Sequence, residues 1–182
     1  AYGLAWAHAE DDFKTTQIGY LAGNELLSKY FKNKGLAADF LTQFIGSKEL
    51  IANDYETKIS EAYKKVVEGY AAGFNAFADK YPQQVLVKEL FPITPQKMLR
   101  YAQLQLFISS KGDSWVMKII NNKHNYANEQ QTATQGANVF GFNSAKTDNG
   151  NTILAINTHQ PLEGPVSWYE AHLCSEEGTN II

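Results

Sequence analysis

The chain holds 182 residues with 16 Lys+Arg against 19 Asp+Glu, a formal charge of −3, and 44% apolar and 13% aromatic content, the make-up of one ordinary globular domain or a large piece of one. No run approaches the roughly 18–20 unbroken apolar residues of a membrane helix, and the basic residues, all but one of them lysine, form no block; a membrane span is excluded, and nucleic acid is not an expected partner. Cys174 is the only cysteine, which rules out an internal disulfide and a thiolate cage for a metal, and it reads as a small buried apolar residue.

The sequence opens inside an apolar run (Tyr2, Leu4, Trp6) and closes on Ile181 and Ile182, so it reads as cut at both ends, with no signal peptide in view. From Ala9 to Phe31 the apolar residues recur at three- and four-residue steps, which predicts an amphipathic helix interrupted near Gly23. A weaker helix is expected from Leu36 to about Ala52. The clearest spans about Tyr55 to Lys80, where Ile59, Ala62, Tyr63, Val66, Val67, Tyr70, Phe74, Phe77 and Ala78 make one stripe, with Asp54 as N-cap and Pro82 as stop. Thr94 before Pro95 is a strong start signal, because the hydroxyl caps while proline takes a first-turn position that needs no donor. A helix from Pro95 to about Ile108 follows, then one from about Ser114 to Asn122.

Residues 126–136 supply no large apolar side chain beyond Tyr126 and read as an exposed, mobile spacer. Beyond it the period shortens. Strands are expected at Val139–Phe142 and Thr152–Asn157, joined by a turn at Thr147–Gly150, with a third at Trp168–Cys174. Helices first and sheet last, with no βαβ alternation, is the order of an α+β fold.

Gly136, Ala137, Asn138, Val139 and Phe140 stand where the spacer meets the first strand, and His159 follows the second. A hairpin brings such ends together. By itself a histidine ending a strand is more often a structural hydrogen-bonding residue than a catalytic one.

The stretch from Gly136 to Leu173 resembles the start of the catalytic chain of the penicillin acylases and acyl-homoserine lactone acylases, which are N-terminal nucleophile hydrolases. Their pattern is glycine, nucleophilic serine, asparagine and two apolar residues, then a turn with glycine and an Asn-x-His segment. Here it reads Gly136, Ala137, Asn138, Val139, Phe140, then Asp148, Asn149, Gly150, then Asn157, Thr158, His159. Three upstream segments also resemble family motifs: Tyr2 to Asp11, with its Ala7-His8-Ala9; Glu68 to Ala76, with its Gly69-Tyr70-Ala71; and the turn from Phe91 to Pro95.

The resemblance implies residues 1–125 as a helical portion like the acylase α-chain, 126–136 as the spacer, and 137–182 as the start of the catalytic β-chain. The antiparallel strands would then be the first of an α-β-β-α sandwich, and the remainder of the catalytic chain would be the partner. The implied activity is an amide hydrolase that removes an acyl group from a penicillin, an acyl-homoserine lactone or a similar linear amide. A serine at a chain's first position carries an α-amino group beside its hydroxyl, and that amine acts as general base directly or through one water. The amine exists only after the bond between Gly136 and residue 137 is broken, which the same side chain does by attacking the preceding carbonyl.

Position 137 departs from the pattern. A methyl group has neither a lone pair to attack with nor a proton to give, so the chain with Ala137 is expected neither to cleave itself nor to turn over an acyl amide. A deliberate Ser→Ala replacement and a natural non-catalytic relative both account for it; the second makes the alternative function an acyl-ligand-binding protein on the same scaffold.

The resemblance gives His159 a part in positioning the new amine and the reacting carbonyl, and keeps Asn138 in the motif after the nucleophile position. Trp168 and Tyr169 match aromatic residues lining the acyl side of the pocket, and Gln160 stands where several relatives carry phenylalanine at the pocket mouth. The oxyanion donors come from later in the catalytic chain. His8, Glu10, Asp11 and Asp12 are expected to serve helix capping and the helix dipole rather than a metal; calcium in a complete protein stays open, and no cofactor is expected from these residues. Family members imply a periplasmic or secreted location.

Overall fold

The structure is a computed structural model that describes residues 1–121, 137–164, 167–178 and 180–181. Its helices are α1 (Tyr2–Gly23), α2 (Leu27–Phe31), α3 (Leu36–Ile45), α4 (Ser47–Lys58), α5 (Glu61–Lys80), α6 (Pro95–Ser109) and α7 (Gly112–Ile120). Among the described residues four short strands follow, β1 (Asn138–Phe142), β2 (Ile153–Asn157), β3 (Leu173–Cys174) and β4 (Asn180–Ile181), pairing antiparallel as β1–β2 and β3–β4. This is a mostly helical chain with a few antiparallel strands, in keeping with a piece of an α+β fold. It divides into two compact units, Ala1–Met117 with Tyr169–Ile182, and Lys118–Trp168.

The core of the first unit lies along α1 and α5. Small residues let the two helices approach: Ala5 and Ala9 of α1 are buried, and a Cβ on Gly73 of α5 would run into the Tyr2 carbonyl oxygen. Above this contact the large rings fill the space, with Phe13 5.0 Å from Phe74 and 4.9 Å from Phe77 between centroids, and Tyr20 edge-on to Phe74 at 5.4 Å. Phe74 has no exposed surface, and burying such a ring stabilises by about 1.5–3 kcal/mol.

Two side-chain amides, buried Gln17 and half-buried Asn75, tie the connection after α5 back to the helices. Gln17 donates to the Phe13 and Gln84 carbonyls and accepts from the Leu86 amide at 2.9 Å. Asn75 brackets Ile93, donating to its carbonyl at 2.8 Å and accepting from its amide at 2.7 Å. The Gln84, Leu86 and Ile93 backbone groups they meet lie outside the α-helices and strands and need such partners.

Element ends differ from the expected ones for local reasons. α1 starts at Tyr2 rather than Ala9 and kinks at Asp12 (φ −152°, ψ 67°), whose carboxylate accepts from the Thr15 amide at 3.0 Å and so caps the second half. It stops at Gly23 as expected, and Leu27–Phe31 continues as the separate α2. The single helix expected from Leu36 breaks at Gly46, which takes the left-handed conformation (φ 71°) open to glycine.

The long helix expected from Tyr55 is two helices. α4 runs past Asp54, which pairs with Lys58 at 2.9 Å instead of capping, and extended Ile59 separates it from α5, where the Ser60 hydroxyl accepts from the Tyr63 amide. The buried stripe of α5 is accordingly shorter: Val67, Ala71, Phe74, Phe77 and Ala78 are buried, while Tyr63 and Val66 are about half exposed. Thr94 and Pro95 open α6 as expected, the Thr94 hydroxyl accepting from the Lys97 amide. Only Leu173 and Cys174 of the expected third strand pair, and their partners are Ile181 and Asn180. Cys174 is exposed, contrary to its expected burial; its Sγ meets polar atoms, His172 Nε2 at 3.2 Å and Asn180 Oδ1 at 3.6 Å, rather than an apolar core.

Candidate functional site

β1 and β2 pair in the register Asn138↔Asn157, Val139↔Ile156, Phe140↔Ala155, Gly141↔Leu154 and Phe142↔Ile153. That register brings the two motif ends, Asn138 and Asn157, opposite each other. The connection between the strands contains a short 3-10 turn at Ser144–Lys146 and the left-handed Gly150; the Thr147 hydroxyl donates to the Asn151 carbonyl at 2.7 Å and closes the loop.

After β2 the chain turns sharply. The Asn157 side chain accepts from the His159 amide at 3.2 Å, and His159 takes a left-handed backbone (φ 52°). A non-glycine residue there costs about 1–2 kcal/mol, which the side-chain turn partly offsets. The consequence is that the imidazole folds back: Asn138 Nδ2 donates to His159 Nε2 at 3.0 Å. With Nε2 accepting, the ring proton of neutral His159 sits on Nδ1, an assignment that follows from the amide orientation.

Asn138 and His159 thus meet as a hydrogen-bonded pair. Ala137, exposed, is the residue immediately before Asn138. Gly136 and the spacer 126–136 lie outside the described residues. Gln160 is half-buried beside His159 in sequence, and Trp168 is two-thirds exposed. The open cleft of the hairpin, lined by Phe142, Lys146, Asn149 and Ile153 among others, lies at its turn, away from the Asn138–Asn157 end.

Tyr169 belongs to the other unit. Its ring stacks on the His8 imidazole, centroids 4.1 Å apart and planes within 15°, and its hydroxyl donates to Asp11 Oδ2 at 2.6 Å. His8 in turn lies 2.6 Å from the Tyr70 hydroxyl through Nδ1 and 3.2 Å from Thr16 Oγ1 through Nε2. Because the Thr16 hydroxyl gives its own proton to the Asp12 carbonyl, Nε2–H is the donor toward Thr16 and Nδ1 accepts from Tyr70. Burial holds His8 below the usual imidazole value, against the pull of Asp12 and Asp11. Burial also pushes the Tyr70 hydroxyl up to about 12.

Among the described residues no three His, Cys, Asp or Glu side chains come together as a metal cage. His8, Asp11 and Asp12 are taken up instead by Tyr70, Tyr169 and Thr15. No described helix is long and apolar enough to cross a membrane.

A family model described as penicillin amidase matches residues 1–182. The chain belongs to the penicillin amidase family. Among the curated relatives, the acyl-homoserine lactone acylase PvdQ of Pseudomonas fluorescens (strain Pf0-1) is 22% identical over 202 residues, covering 94% of this chain and 26% of that protein. The PvdQ of Pseudomonas savastanoi pv. phaseolicola (strain 1448A / Race 6) is 22% identical over 204 residues with the same coverage. The chain therefore spans about a quarter of the length of these relatives.

The penicillin amidase motifs have visible structural work in the first unit. The Tyr2–Asp11 segment and the Glu68–Ala76 segment pack on each other through Gly73 and the His8–Tyr70 bond, and the Phe91–Pro95 turn is held by Asn75. Reading the chain alone missed that His8, Asp11, Tyr70 and Tyr169 form one assembly. The available signal was that the first three fall inside matched motifs.

Proposed function

We propose that this chain is the front part of an acylase of the N-terminal nucleophile type, acting on a penicillin, an acyl-homoserine lactone or a similar linear amide, with position 137 as the nucleophile position. The observation that carries this reading is the 3.0 Å contact between Asn138 and His159, the motif residue next to position 137 and the histidine of the Asn-x-His segment. Membership in the penicillin amidase family supports it.

With a serine at 137, its hydroxyl oxygen attacks the Gly136 carbonyl carbon, the peptide nitrogen departs with a proton, and water releases the resulting ester. The freed amine then accepts the proton from the hydroxyl as the oxygen attacks the substrate carbonyl. Collapse expels the substrate's amine carrying that proton, and water hydrolyses the acyl ester. His159 steadies the amine and the reacting carbonyl, and Asn138 fixes the imidazole. Trp168, Tyr169 and Gln160 are assigned to the acyl side of the pocket. The oxyanion donors and the rest of an α-β-β-α sandwich come from the remainder of the catalytic chain. Val139, Phe140, Ile153, Leu154 and Ile156 are exposed on the hairpin, which supports a sheet that continues into further layers. The place of action is the periplasm or outside the cell.

Ala137 itself favours a second reading, a binding protein that holds an acyl ligand without turnover. Ala137→Ser in the full-length protein separates the two. Mass spectrometry is expected to find two chains parting between Gly136 and residue 137, with acyl release from N-octanoyl-homoserine lactone or penicillin G. A persistent single chain with no acyl release counts against the enzyme.

A further inference from the structure

One assembly of the first unit has no part in the chemistry described so far. A hydrogen-bonded file runs from the Tyr70 hydroxyl to His8 Nδ1, and from His8 Nε2 through Thr16 to the Asp12 carbonyl. It fixes the imidazole at both nitrogens and leaves one ring face to be covered. Tyr169 covers that face, and Asp11, three residues along the same helix, accepts its hydroxyl proton.

The two contacts do different jobs. Stacking sets the distance of the Tyr169 ring from α1 but lets it slide, because dispersion and quadrupole terms change slowly with offset. The hydroxyl–carboxylate bond is short and charge-assisted, and it stops the sliding. Tyr169 is also the point where the chain passes from the unit carrying Ala137, Asn138 and His159 into the first unit. From the end of β2 at Asn157 to the start of β3 at Leu173 the described residues have no ladder pairing, so a side-chain latch is what can order this stretch.

We propose that His8 and Asp11 form a latch on Tyr169 that fixes the chain directly after Trp168, which makes them positioning residues for the acyl-amide site. The site part of this inference rests on the proposed function; the latch itself rests on the stacking and the hydroxyl–carboxylate bond. His8 and Asp11 act through Tyr169 and are not assigned to the reacting atoms.

Two readouts test it on the full-length protein carrying Ala137, which allows binding without turnover. The first is hydrogen exchange of peptides covering residues 167–174; the second is calorimetric affinity for N-octanoyl-homoserine lactone. Tyr169→Phe keeps the stack and removes the hydroxyl, and is expected to raise exchange in that segment about tenfold and weaken the lactone about tenfold, the size of one lost charge-assisted bond. Asp11→Asn, which keeps an acceptor, is expected to recover part of both, and Glu10→Gln to change neither. Peptides of α5 keep their protection, which separates a released latch from general unfolding.

Unchanged exchange in Tyr169→Phe overturns the latch. Raised exchange with unchanged affinity overturns the positioning role. Failure of the full-length Ala137 protein to bind either the lactone or penicillin G overturns the acyl-amide reading together with the positioning role, and the exchange profile then tells whether the latch itself holds.

Discussion

Asn75→Ala tests how the turn after α5 is held. The amide makes two bonds to one residue, 2.8 Å to the Ile93 carbonyl and 2.7 Å from the Ile93 amide, and Ile93 is only 2% exposed. Truncation leaves one buried donor and one buried acceptor without partners, each costing about 1–3 kcal/mol. Asn75 is itself half-buried, so water can reach part of the gap, and the lower half of the combined range applies, about 2–4 kcal/mol. Urea unfolding followed by the fluorescence of Trp6, which packs edge-on against Phe77 at 5.4 Å in the same unit, is expected to show that loss as a shifted midpoint with an unchanged slope. Asn75→Asp sharpens the test. The carboxylate still accepts from the Ile93 amide but sets a second oxygen against the Ile93 carbonyl, and the deficit is expected to narrow in acid, where the protonated carboxyl donates again. A loss below about 0.5 kcal/mol for Asn75→Ala would refute the reasoning, because it would mean that the turn holds its shape without the bracket.

Two further outcomes follow from the packing of α1. Gly73→Ala is expected to destabilise by about 1–3 kcal/mol, despite the better helix propensity of alanine, because the added methyl meets the Tyr2 carbonyl oxygen and the Ala5 Cβ at 3.1 Å; a raised thermal midpoint by circular dichroism contradicts the close α1–α5 contact. His8 is held below the usual 6.5 by burial, which outweighs Asp12 and Asp11, so between its folded value and 6.5 the unfolded chain binds more protons than the folded one. Stability from this group is therefore full above pH 6.5 and falls as pH drops through that window. Urea midpoints between pH 7.5 and 5 are expected to fall less steeply in His8→Gln, and an unchanged slope contradicts the assignment.

The local signals that were legible are those in which one side chain acts on its own backbone. Thr94 and Pro95 open α6, Gly23 ends α1, and the turn at Thr147–Gly150 joins two strands, each within a residue or so of its expected place. The motif spacing also put Asn138 and His159 at matching ends of a hairpin, and their contact follows from the register. Where apolar periodicity alone was the guide, elements merged: the stripe around Tyr55 continued through Ile59 although Ser60 supplied the real cap. Periodicity records which residues are greasy and is blind to a single extended residue between two helices.

The sequence by itself determined the helix-then-sheet order, the start of α6, and the family, because caps, turns and ordered motifs are properties of neighbouring residues. Only the tertiary structure decided that Tyr169 lies on His8 and Asp11, that Asn75 holds Ile93, and that Cys174 is exposed. Those facts depend on contacts between residues far apart in the chain, up to 158 positions for Tyr169 and Asp11, and such contacts are set by how α1 and α5 pack and by where a late segment comes to rest, which no local pattern encodes.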